Sequence, residues 1–247
     1  MRLLLDALRL MLGTLTIVPV RPPSTITRRT AGLAMTLAPL GGALLAVPVW
    51  ALGHLDQPLL AAALAISALA VGSRAIHLDG LADVADGLGS RAPAERALQI
   101  MKQSDIGPFG VVALVLSLLV QVAALSELFA RDDEWAAVVA VMISRSILPW
   151  LCTWPAARAD GLGATMAQSV TWPAASASIV GFNSLVGVGL IYSGVDVESA
   201  SAAIAGLWVG WLFGRYCLRR FGGTTGDVYG ACVELTLTAS LVAAALT

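Results

Sequence analysis

Apolar residues fall along this chain in long runs rather than in alternation. Seven runs stand out, at about 31–53, 58–76, 108–130, 135–154, 176–194, 199–218 and 229–246. A helix of roughly 20 apolar residues reaches across the ~30 Å hydrocarbon core of a bilayer. Lipid offers the backbone no hydrogen-bond partners, so each run must satisfy its own N–H and C=O groups as a helix. The pattern predicts an all-α, polytopic membrane bundle of about seven transmembrane helices in a single membrane domain, residues 1–247.

The first twenty residues, MRLLLDALRLMLGTLTIVPV, read differently. Leu4, Leu5, Leu8, Met11, Leu12 and Leu15 share one helical face, while Asp6 and Arg9 interrupt the apolar stretch. No small-residue cleavage site follows, which argues against a signal peptide. An amphipathic helix lying in the membrane interface is expected over residues 1–20. An eighth span is the alternative.

Composition agrees with the run pattern. The chain is 57% hydrophobic and 13% charged, with a mean hydropathy of +0.82, and no soluble domain is evident. A net charge of −1 gives no reason to expect a nucleic-acid partner. The placement of charge says more. Of the 15 Lys and Arg residues, all but Arg131 and Arg145 fall on one side of the threading. Positive charge marks the cytoplasmic side. The N-terminus is thus expected inside and, with seven spans, the C-terminus outside. The outer loops (54–57, 131–134, 195–198) are short, and the inner segments (77–107, 155–175, 219–228) hold nearly all the polar material. Cys152, Cys217 and Cys232 are scattered, without a CxxC pair, and imply neither a disulfide framework nor a zinc site. His54 and His77 lie in separate loops.

Three segments carry chemistry. In HLDGLADVADGLGSR, residues 77–91, Asp79, Asp83 and Asp86 are spaced i, i+4, i+7. On a helix they fall within roughly 60° of one another. Like charges on one face repel, and the residues between them are apolar. A solvated helix end would mix both signs. A purely acidic stripe of hard oxygen donors suits Mg²⁺, Mn²⁺ or Ca²⁺. In MKQSDIGPFG, residues 101–110, Lys102 offers a phosphate contact and Asp105 a further carboxylate. A charged pair before a turn would look the same. In RRFGGTTGDVYGACVE, residues 219–234, glycines mix with Thr224, Thr225 and Asp227. Such a loop at a helix start exposes N–H groups that favour phosphate, with Gly226 allowing close approach. Asp227 and Glu234 are i, i+7, which puts Glu234 inside the last run. An intramembrane carboxylate is a functional candidate by default. Arg145 is a second charge within a run. Its neighbours Ser144 and Ser146 cannot neutralise it, so it needs a carboxylate or an anionic substrate. Arg158 and Asp160 in ARADGLG, residues 157–163, read as an anion-binding loop or a salt-bridged turn. Carboxylates, arginines and glycine loops on one side of the membrane together point to a nucleotide or pyrophosphate substrate.

These segments, in this order between hydrophobic runs, resemble the cobalamin synthase family, also called adenosylcobinamide-GDP ribazoletransferases. The resemblance extends from LTIVPV near the N-terminus to the last run, and HLDGLAD with GGTTGD carries it. It implies a membrane transferase joining α-ribazole, or its 5′-phosphate, to adenosylcobinamide-GDP. The products are adenosylcobalamin, or its 5′-phosphate, and GMP, in the last steps of cobalamin biosynthesis. It also implies Mg²⁺ and a multi-pass protein of the bacterial inner membrane with its active site facing the cytoplasm. Family motifs fall on Asp79, Asp83, Asp86, Lys102, Arg158, Asp227 and Glu234. Many members read DSRIG where this chain has QSDIG, so Asp105 cannot be carried over. A weaker resemblance to the CDP-alcohol phosphotransferases covers Asp83, Asp86, Gly87 and Arg91 but fails at Ile100, Ser104 and Pro108.

The expected site follows. Asp79, Asp83, Asp86, Asp227, Glu234 and Asp105 are candidate metal ligands. Lys102, Arg145, Arg158, Thr224, Thr225 and Gly226 are candidate substrate contacts. Asp83, Asp86, Asp227 and His77 are candidate catalytic groups, with a carboxylate or His77 taking the proton as the ribazole 5′-oxygen attacks the β-phosphorus. A homo-oligomer or a complex with other cobalamin-assembly enzymes is left open. The competing class is a transporter in which Arg145 and Glu234 line a pathway. Against it stand the one-sided placement of polar groups and the lack of an inverted repeat.

Overall fold

A computed structural model describes residues 1–192 and 198–247. The described residues are helical, without a strand; a single isolated bridge joins Ala156 and Thr224. In chain order the helices are α1 (Arg2–Leu15), α2 (Arg28–Thr36), α3 (Ala38–Gly53), α4 (Pro58–Gly72), α5 (Ile76–Gly89), α6 (Ala94–Ile100) and α7 (Pro108–Ala130). Then follow α8 (Glu134–Ser146), α9 (Leu148–Leu151), α10 (Gly161–Met166), α11 (Trp172–Tyr192), α12 (Glu198–Ala202), α13 (Ala205–Phe221) and α14 (Gly226–Ala245).

Length and apolarity qualify α7, α8 with α9, and α14 as membrane spans. Two bent pairs, α2 with α3 (44°) and α4 with α5 (88°), raise the number to five. The seven apolar runs therefore do not all become straight spans among the described residues. The α3 and α4 helices are 16 and 15 residues long and α13 is 17, each short of the ~20 that cross a bilayer unaided. The run 176–194 falls on α11, and its end and the expected outer loop 195–198 lie partly outside the described residues.

The α14 helix is the centre of the bundle and packs on α5, α7, α8 and α13. On α13, Gly206 and Gly210 face Ser240 and Thr236 of α14 so closely that a Cβ would collide with either side chain. The connections between α3 and α4 and between α7 and α8 share one end of the bundle, where a Cβ on Gly53 would lie 2.8 Å from Phe129. The segments around α5, α6, α10 and the start of α14 share the other.

The α4–α5 break places the acidic helix. Arg74 and Ala75 both take left-handed φ values, 55° and 54°, which cost energy for residues with a Cβ. The chain end of α1 holds this turn: Ile17 N–H donates to Gly72 O at 2.7 Å, and the Arg74 guanidinium donates to Gly13 O and Thr14 O. The α5 helix, which carries the polar stretch 77–91 and is read as the member of the pair outside the hydrocarbon, turns by 88° from α4 and bridges the first turns of α14 and α7.

The N-terminal helix differs in its face. Ala7, Leu10, Met11 and Leu15 are buried, whereas Leu3, Leu4 and Leu5 are exposed. Asp6 is buried too. It accepts hydrogen bonds from Ser24 N–H (2.9 Å) and Ser24 Oγ (2.5 Å), which hold its carboxyl below the usual carboxylate range.

Candidate active site

The α5 and α14 helices cross where two small residues allow it. A Cβ on Gly80 would stand 2.6 Å from Asp227 O, and one on Gly230 3.1 Å from His77 Cα. This approach brings Asp79 of α5 beside Asp227 in the first turn of α14. Both line a pocket of 420 Å³ at the polar end of the bundle. Lys102, between α6 and α7, and Arg158 and Asp160, just before α10, complete its walls with Thr224, Thr225 and Gly226.

Side-chain bonds fix this set. The Asp227 Oδ2 atom accepts from Arg158 Nη2 at 2.6 Å and from the Thr225 hydroxyl at 3.1 Å. Thr225 Oγ1 also accepts from Val228 N–H at 3.2 Å and so caps α14. Arg158 Nη1 donates to Leu98 O at 3.4 Å, which anchors the guanidinium to α6. Across the mouth, Lys102 Nζ donates to Asp160 Oδ2 at 2.6 Å, both side chains being half-exposed or more. This contact holds the Asp160 carboxyl below its ordinary range. Thr224 lines the wall, but its hydroxyl is bonded internally, to Pro155 O and the Tyr229 hydroxyl.

The acidic stripe divides its work. Asp83 stands one helical turn along α5 from Asp79, half-buried and behind the pocket lining. Burial, then the charges of Asp79, Asp227 and Asp86, raise its carboxyl to about 7, with only Arg158 opposing. Asp86 is committed elsewhere: Oδ2 accepts from Gly107 N–H at 2.7 Å and Oδ1 from Gly110 N–H at 2.9 Å. Its carboxylate therefore caps the start of α7, and Gly107 and Gly110 leave room for it. Asp105 is exposed and does not line the pocket.

Three expected residues lie deeper. Glu234 is two helical turns beyond Asp227, about 10 Å along the axis, and accepts from Gln121 Nε2 of α7 at 2.9 Å. Arg145 is 1% exposed, donates to Ser144 Oγ at 2.6 Å, and keeps an unpartnered Nε. Neither lines the pocket. His77 is buried behind Ile76 with Nδ1 unpartnered. Burial and the Arg145 charge hold its imidazole well below the usual range. Gln121 was not among the expected site residues. Its signal was a lone amide in the middle of a 23-residue apolar helix.

Among the described residues, no three His, Cys, Asp or Glu side chains already converge as a metal site. The donor chemistry nevertheless fits a hard divalent cation. Asp79, Asp83 and Asp227 are all oxygen donors, and Arg158 is the cation beside them.

Residues 7–245 match the family model of cobalamin-5-phosphate synthase. The chain belongs to the cobalamin-5-phosphate synthase family. Curated relatives named adenosylcobinamide-GDP ribazoletransferase agree. The Nocardioides relative is 45% identical over 246 residues, covering 96% of this chain and 97% of its own. The Frankia casuarinae relative is 39% identical over 259 residues, covering 94% and 92%. A Pseudomonas aeruginosa relative is 42% identical over the whole of both chains. No solved structure matches. Family membership leaves the transporter and CDP-alcohol phosphotransferase readings without support.

Proposed function

We propose that this membrane protein is the transferase that joins ribazole to adenosylcobinamide-GDP and releases GMP, in the last steps of cobalamin biosynthesis. The carrying observation is one pocket in which Asp79 and Asp227 stand with Lys102 and Arg158 at the N-terminus of α14. Paired acids and bases around a helix start suit a pyrophosphate. The family and its named relatives support the same reading.

In this reading Lys102 and Arg158 bind the pyrophosphate oxygens, and the first-turn amides of α14 add partial positive charge. Asp79 and Asp227 would hold Mg²⁺, which supplies charge neutralisation to the pyrophosphate when bound. Asp83 accepts the proton of the attacking hydroxyl; a carboxyl raised to about 7 is matched to that task. The attacking oxygen is not the 5′-oxygen expected above. The family description names a cobalamin-5-phosphate, so a 5′-phosphate survives the transfer and another ribose hydroxyl attacks. That oxygen bonds to the β-phosphorus as the bond to GMP breaks. We place the protein in the bacterial inner membrane, with the pocket toward the cytoplasm, on the side rich in Lys and Arg.

The test is release of GMP by the purified protein given adenosylcobinamide-GDP, ribazole and Mg²⁺. Asp227→Asn should lose at least ~100-fold in kcat, the scale for removing one preorganised electrostatic group. Chelation of Mg²⁺ should stop turnover of the wild-type protein. Near wild-type turnover by Asp227→Asn would remove it from the mechanism.

A further inference from the structure

A second, smaller cavity of 60 Å³ adjoins the reaction pocket. The two share Ile76, Leu162, Gly163 and Gly226 as a common wall. The annex forms where α1, α2, α5, α9, α10 and α14 meet. Leu15, Met35, Leu148, Met166, Tyr229 and His77 line it. Its surface is almost wholly apolar. The Tyr229 hydroxyl is already bonded to Thr224. The polar exceptions are Thr14 and His77, the latter 3% exposed with an enclosed Nδ1 that has no partner in the protein.

A phosphate or a sugar needs several polar partners, and beside the bonded Tyr229 hydroxyl this cavity offers only Thr14 and His77. A corrinoid is far too large for it. What fits is the edge of a flat apolar ring carrying a single hydrogen-bonding nitrogen. The thioethers of Met35 and Met166 suit such a ring, since sulfur packs well at aromatic edges and adapts its shape. One substrate of the proposed reaction has this chemistry. The base of ribazole is a fused aromatic heterocycle. One ring nitrogen is used in the glycosidic bond, and the other keeps a free lone pair.

We propose that the annex seats the outer edge of the ribazole base, with the His77 imidazole hydrogen-bonded to its free ring nitrogen. This inference rests on the transferase reading and adds where the acceptor sits. Gly226 lines both cavities, so a base in the annex puts the ribose beside Gly226 and Asp227, where the attacking hydroxyl is needed. Met35 and Met166 then set which bases fit.

Two variants and four nucleosides test it, each with saturating adenosylcobinamide-GDP and Mg²⁺. The nucleosides are the ribosides of dimethylbenzimidazole, benzimidazole, the larger naphthimidazole, and indole, which lacks the free ring nitrogen. The wild-type protein should use the indole riboside at least tenfold less well than the benzimidazole riboside in kcat/KM. His77→Phe should abolish that difference by raising KM for benzimidazole riboside at least tenfold, with KM for adenosylcobinamide-GDP unmoved. Met166→Ala should raise the kcat/KM for naphthimidazole riboside relative to benzimidazole riboside at least fivefold. A helix-packing role for either side chain would not alter base preference. Transfer with the same base preference in both variants would overturn the annex assignment and leave the transferase reading standing. No GMP release from the wild-type protein with any riboside would overturn both.

Discussion

Asp83 sits in an environment far from that of a carboxylate in water. Its carboxyl titrates near 7 because burial and three neighbouring carboxylates disfavour the charge. The consequence for stability has a definite sign. Between the ordinary value of 3.8 and about 7, the folded protein holds a proton that the unfolded chain has released. Stability from this group is therefore present below about pH 4 and falls as pH rises toward 7. Asp83→Asn should flatten that part of the profile, read as the thermal midpoint in detergent from pH 4 to 8. An unchanged slope would assign the titration to another group. The same residue scale separates Asp83 from Asp86. Both sit on one stripe, yet the oxygens of Asp86 are bonded to Gly107 and Gly110. Glu234 and Arg145 likewise lie buried inside the bundle, outside the pocket lining.

At the scale of elements, two junctions hold the site. The first is the α5–α14 crossing at Gly80 and Gly230. A methyl at position 80 would meet the Asp227 backbone at 2.6 Å, so α5 or the start of α14 must move. Gly80→Ala should lower kcat at least ~100-fold, since small misplacements near reacting groups cost that much, while the protein still unfolds cooperatively. Wild-type turnover in that variant would show that the crossing has slack. The second junction is the Asp86 cap on α7. Charge-assisted hydrogen bonds are worth ~1.5–3 kcal/mol each, and Asn keeps only one oxygen. Asp86→Asn should destabilise the protein by about 2 kcal/mol, measured by denaturant titration in detergent, and a change within error would argue against the cap.

At the scale of the molecule, the polar pocket and the short turn at 54–57 stand at opposite ends of the bundle. Basic residues gather at the pocket end, among them Arg74, Arg91, Lys102, Arg158 and Arg220. The three native cysteines are buried, which leaves a quiet background for labelling. In intact spheroplasts an impermeant maleimide should modify Asp56→Cys and spare Asp160→Cys until the membrane is opened. Labelling in the reverse order would turn the protein over in the bilayer.

Apolar run length alone determined that this chain is helical and built for a membrane, because lipid admits few other backbones. Residue type marked Asp79, Asp227, Lys102 and Arg158 as candidates for metal and phosphate chemistry. Spacing placed Asp79, Asp83 and Asp86 on one face of one helix, since that distance is set by local geometry. Only the tertiary structure decided which of them share a pocket. That depends on the 88° turn at Arg74–Ala75 and on how closely α5 approaches α14, both settled by contacts remote in sequence. It also moved Asp86 to a cap, set Glu234 against Gln121, and opened the annex where six helices meet. Periodicity fixes directions within a helix; distances between helices come from packing.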